Sequence, residues 1–182
     1  RQVTEHLLDL NFETVDLSME FEQTTHFTSN GYDEVEFLIS TNPGETPKPL
    51  GKIASGGELS RIMLALKTVL ANNDEIETLI FDEIDTGISG RTAQKVSEKM
   101  DLIGRNHQVI CITHLPQIAA MADAHYLIEK NVENEKTISS IRLLSKEEEI
   151  EELARLIGGA KITETTIHTV TCLLYTSPSP RD

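Results

Sequence analysis

The chain has no tryptophan, and aromatic residues make up only 4% of its 182 positions, so its core must rest on aliphatic side chains. Its two cysteines, Cys111 and Cys172, are too few for a disulfide framework or a paired Cys-x-x-Cys zinc site. Cys111 lies inside an apolar run, where a buried, reduced thiol is the ordinary outcome, and a cytosolic setting is expected. No stretch approaches the roughly 20 apolar residues a membrane span requires, and no basic-then-apolar leader is visible, so no membrane partner is expected. Positive charge is scarce as well: 16 Lys and Arg stand against 30 Asp and Glu, a formal net charge of -14. An evenly acidic surface repels phosphate backbones, so any contact with DNA must be local or supplied by another chain. Residue 1 is Arg rather than Met, and the expectation is a piece of a longer protein.

What is present reads as a globular α/β chain, with 38% hydrophobic and 25% charged residues. The first residues, to about Asn11, suggest the end of a helix. From Val15 the apolar positions Val15, Leu17, Met19 and Phe21 alternate with polar ones, the pattern of a half-buried strand. The turn pair Asn30-Gly31 and the run Val35 to Ile39 predict an antiparallel partner. Three prolines and two glycines between Thr41 and Gly51 predict a loop, and Leu59, Ile62, Met63, Leu66 and Leu70 then recur at helical spacing, giving a helix over about Gly57 to Asn72. Thr78 to Phe81 and Val109 to Ile112 are short apolar runs separated by a helical pattern through Ala93, Val96, Met100 and Ile103. This predicts two parallel strands covered on both faces, with ligands collecting beyond their carboxyl ends. A short helix near Pro116, strands over Ala124 to Ile128 and Thr137 to Leu144, and a helix over Lys146 to Ile157 complete the pattern. The acidic run Glu147 to Glu152 is expected to be a solvated helix face.

Chemistry concentrates in three places. Ser55-Gly56-Gly57-Glu58 opens a helix. Ser-x-x-Glu alone is a capping box, but adjacent glycines cost backbone entropy there and would let amide N–H groups approach an anion closely. Asp82 and Glu83 end the first apolar strand. One carboxylate there suits a hard cation such as Mg²⁺, and its neighbour could orient or deprotonate a water for in-line attack. Asp85 to Gly90 follows as a loop of hydrogen-bonding side chains and glycines. His114 ends the second apolar strand, at the expected edge of the same sheet. The other histidines take the structural default, and no hydrolase triad is assembled.

These residues resemble the motifs of ABC-type ATPases: Ser55 to Arg61 the signature motif, Thr78 to Glu83 a Walker B strand, Asp85 to Ser89 the D-loop, and His114 the switch histidine. The wording KIASGGELSRIMLALKTVLA, TLIFDEIDTGISGRTAQ and VICITHLPQIAAMADAHYLIEK is similar to the RecN family of SMC-like DNA repair ATPases over about Asn11 to Thr165.

The resemblance implies the carboxyl-terminal part of a P-loop ATPase head, with residues 1–12 the return of a coiled coil and 13–165 the lobe itself. It implies ATP and Mg²⁺ as cofactors, with Ser55, Gly56, Gly57, Glu58 and Asp85 at the nucleotide, Asp82 at the metal, and Glu83 and His114 as catalytic residues. The implied partners are a second head and DNA, in a bacterial cytoplasm at the nucleoid. No G-x-x-x-x-G-K-[ST] phosphate loop occurs: Gly51-Lys52 is followed by Ile53, and Gly158 to Ile162 fails likewise. The Walker A half must come from elsewhere in the longer protein, and the fragment alone is expected to be inactive. Residues 166–182 depart from the family pattern and are expected to be a disordered or non-native tail. The competing readings are a non-catalytic dimerisation domain and the head of another SMC-type chromosome protein.

Overall fold

The computed structural model describes residues 1–29, 31–53, 55–71, 75–133, 136–159 and 163–176, with the backbone alone for residues 132, 133, 136, 175 and 176. It divides into two compact units, Arg1–Ile112 and Thr113–Asp182.

In the first unit, helix α1 (Gln2–Asp9) packs on helix α2 (Gly56–Leu70). Leu7, Leu10 and Phe12 are buried there. Strands β1 (Asp16–Thr28) and β2 (Gly31–Ser40) pair antiparallel as the alternation predicts. Their register sets Leu17 opposite Ile39, Met19 opposite Phe37 and Phe21 opposite Val35, so the apolar side chains gather on one face. That face is not half-buried as expected: Met19, Phe21, Val35 and Phe37 are exposed, Phe21 by 64%. The predicted loop after β2 is also corrected. Lys48–Pro49 forms a two-residue strand, β3, on the edge of β2, where proline is tolerated, and a 3₁₀ turn follows at Leu50–Lys52.

The strand-helix-strand core is as expected: β4 (Thr78–Phe81), α3 (Gly90–Gly104) and β5 (Gln108–Cys111), with the strands parallel and in register from Thr78–Gln108 to Phe81–Cys111. Helix α2 buries Ile62, Leu64 and Ala65, and α3 buries Ala93, Val96 and Ile103. Leu79 and Phe81 turn inward, whereas Ile80 is 67% exposed and Ile110 and Ile112 are exposed beside it. The pair is therefore covered on one face, not both, among the described residues of this unit. Residues 72–74, where α2 was expected to end, lie outside those described.

The second unit contains α4 (Pro116–Ala119), the antiparallel pair β6 (Tyr126–Glu133) and β7 (Lys136–Leu143), α5 (Lys146–Gly158) and α6 (Glu164–Thr176). Residues 134 and 135, within the turn predicted between those strands, lie outside the described residues. Helix α5 opens with a complete capping box between Ser145 and Glu148, and Glu148 also pairs with Arg142 at 2.6 Å. The acidic run is thus partly structural, since Glu149 is buried and bound to Lys146 at 2.8 Å. Of the tail expected to be disordered or non-native, the residues as far as Thr176 are helical rather than disordered. Val170 is fully buried with Ala120, Leu153 and Ala154, and Leu173 and Leu174 pack against that cluster, so apolar residues at helical spacing order the segment. Residues 177–182 lie outside those described.

Candidate functional site

The amino-terminal tip of α2 and the loop after β4 form one junction within the first unit. The Ser55 hydroxyl caps α2, accepting the Glu58 N–H at 3.3 Å. One turn on, the Ser60 hydroxyl donates to the Asp82 carbonyl at 2.7 Å. Arg61 is only 6% exposed, and its Nη1 donates to the Thr86 carbonyl at 2.8 Å and more weakly to the Ile84 carbonyl at 3.4 Å. The guanidinium lies over the Phe12 ring, 5.5 Å from its centroid, and burial lowers its pKa.

The glycine pair acquires a reason the sequence did not reveal. A Cβ on Gly56 would collide with the Glu83 carboxylate, and one on Gly57 would stand 2.9 Å from the Glu83 carbonyl oxygen and 3.0 Å from the Thr86 side chain. The inference from two glycines to an anion is therefore incomplete for Gly57, which close packing on the acid-loop backbone already demands, whereas at Gly56 only the movable Glu83 carboxylate stands in the way. Glu83 itself lies in the left-handed region at φ 57, a costly conformation for a residue with a Cβ. It is held there by its own N–H donating to Asp82 Oδ1 at 2.9 Å and by the Thr86 N–H donating to its carbonyl at 3.0 Å.

Asp82 and Glu83 are exposed at the carboxyl end of β4, and Asp85 is buried behind them. Cys111 ends the neighbouring strand. Burial, followed by the Asp85 and Asp82 charges, pushes its thiol up to about 12. The structure thus joins Ser55, Gly56, Gly57 and Glu58 to Asp82, Glu83 and Asp85. His114 is exposed in the second unit. No cluster of three or more metal-ligating side chains occurs among the described residues, and the exposed Asp82 carboxylate is a single hard oxygen donor, the type a cation such as Mg²⁺ takes. Ser60, Arg61 and Thr86 had no role assigned from sequence. The available signal was the stripe Gly57, Arg61, Ala65 at four-residue spacing, which places an arginine on a core-facing side of the helix.

A protein named DNA repair protein RecN from Halalkalibacterium halodurans is 49% identical over 168 residues, covering 90% of this chain and 30% of the relative. RecN from Bacillus subtilis is 49% identical over 79% of the chain, and RecN from Treponema pallidum 53% identical over 75%. Over the matched residues the chain belongs to the RecN family. It spans 24 to 30% of the length of these RecN relatives. No protein-family model matches. The fold is that of SMC heads: the Smc head domain with coiled coil and joint from Pyrococcus yayanosii aligns over 84% of this chain and 28% of its own, with a TM-score of 0.55 at 21% identity. The Smc head from Pyrococcus furiosus bound to the C-terminal domain of ScpA aligns over 86% and 37%, with a TM-score of 0.52 at 22% identity. The segment therefore has the mixed α/β fold of part of an SMC-type head. No helix among its described residues is long and apolar enough to cross a membrane.

Proposed function

We propose that this RecN segment supplies the signature tip and the hydrolytic acids of an ATPase that acts on DNA in double-strand break repair. Two heads would close over two ATP molecules. Each site would take Asp82 and Glu83 from one head and the Ser55-Gly56-Gly57 tip from the other. The observation that carries the hydrolytic part of the reading is the pair of exposed acids at the carboxyl end of a parallel strand pair, where α/β sheets bind ligands; the sharing of the tip between heads rests on the resemblance to ABC-type ATPases.

In that site Asp82 offers its carboxylate to Mg²⁺, and Glu83 orients or deprotonates the attacking water. Bound Mg²⁺ would supply neutralisation of the charge developing on the phosphates. Ser55 and the first amides of α2 face the terminal phosphate held by the opposite head, where the helix dipole favours negative charge. His114 is assigned to sensing the same phosphate, and the buried Asp85 to shaping the loop behind the acids. The phosphate loop comes from the amino-terminal half of the longer protein, and the site works in the bacterial cytoplasm at the nucleoid.

Mixing this chain with a separately produced phosphate-loop half tests the proposal. The mixture should hydrolyse Mg-ATP while neither part does so alone. Robust turnover by the 182-residue chain without that half would contradict it.

A further inference from the structure

The geometry points to Arg61 as a positioning residue that holds the acid loop in the shape its carboxylates need, a role that rests on the hydrolytic reading above. The two carbonyls it binds belong to Ile84 and Thr86, which bracket the buried Asp85 and follow directly on Glu83. A buried guanidinium is costly to desolvate, and an apolar side chain of similar volume fills the same space at lower cost. Here the cation is met by backbone carbonyls and an aromatic face, and its Nε has no hydrogen-bond partner among the described residues. Filling space does not explain that choice; fixing two carbonyls does.

The need for fixing is visible in the loop. A non-glycine residue at φ 57 persists only where its surroundings over-determine it. The upstream side of Glu83 is tied by Ser60 to the Asp82 carbonyl and by Asp82 Oδ1 to the Glu83 N–H. The downstream side is tied to α2 by Arg61. Helix tip, hydrolytic acid and the following loop are thereby one rigid piece, and a displacement of the tip on nucleotide arrival reaches Glu83 through Arg61.

The test uses the complete protein carrying Arg61→Gln, Arg61→Lys or, as a control, Glu83→Gln. It measures kcat and KM for Mg-ATP, nucleotide affinity, and thermal unfolding. Because a misplaced reacting group typically costs about 10- to 100-fold, Arg61→Gln should lower kcat by that factor with KM and nucleotide affinity nearly unchanged. Arg61→Lys should recover part of the loss, because an ammonium keeps N–H donors for the carbonyls but loses the planar guanidinium that lies over Phe12. Parent-like kcat in Arg61→Gln, parallel loss of kcat and affinity, or failure of both variants to fold would each overturn the positioning role. Parent-like turnover in Glu83→Gln would instead overturn the hydrolytic reading on which it rests.

Discussion

The buried Lys99 ammonium donates to Asp9 at 2.9 Å and lies 2.8 Å from His6 Nδ1, so the imidazole accepts from it only while neutral. Burial and then Lys99 lower the His6 pKa from 6.5, and the Lys99 hydrogen bond lowers that of Asp9 from 3.8. In both cases the unfolded chain binds protons more readily than the folded one. The stabilisation is therefore complete above the unfolded values and is lost as pH falls through the folded ones. The urea midpoint of the chain should drop between about pH 7 and pH 5, and His6→Gln should flatten that decline. An unchanged slope would remove His6 from the network. The cysteines make a second expectation at this scale. Cys111, with its thiol pushed up to about 12, should resist a thiol reagent at neutral pH, whereas the exposed Cys172 should label rapidly, giving one fast thiol before unfolding and two after. The apolar run around Cys111 predicts a buried thiol and the structure makes it half-buried; the neighbouring carboxylates became visible only in the folded loop.

Helices α2 and α3 and the strands between and after them follow local rules, helical spacing in one case and short apolar runs in the other, and the structure has each of these elements where those patterns lie. The packing constraint on the α2 glycines was not legible in the sequence because it comes from Glu83 and Thr86, more than twenty positions away. Helix α6 was missed because its stabilising contacts come from α4 and α5 rather than from a family pattern. The tight packing of Gly57 makes a direct prediction. Gly57→Ala should force the Glu83 carbonyl away, costing about 1–3 kcal/mol by overpacking, readable as a lower urea midpoint of the chain. A neutral or stabilising result would mean that the helix tip and acid loop are not in contact in solution.

For the whole molecule, the open faces are the informative feature. Ile80, Ile110 and Ile112 on one sheet, and Met19, Phe21, Val35 and Phe37 on another, present apolar side chains to solvent. Tyr126, Ile128, Ile141 and Leu143 do the same on the strand pair of the second unit. Alternation in the sequence identified which residues share a face, but it could not say whether this chain contains their cover. RecN relatives extend well beyond the matched segment, and we expect the amino-terminal half to supply that cover together with the phosphate loop. The chain alone should bind a hydrophobic dye strongly, and adding that half should reduce the signal.

The reciprocal arrangement of tip and acids is tested most directly by complementation between two inactive versions of the complete protein, Ser55→Arg and Glu83→Gln. If each site pairs the acids of one head with the tip of the other, a mixed dimer contains one site in which Glu83 and Ser55 are both intact. The mixture should then hydrolyse Mg-ATP although neither variant does so alone. If tip and acid serve the same site within a single chain, as their contact in the isolated segment would also permit, every site in the mixture stays broken and no activity returns.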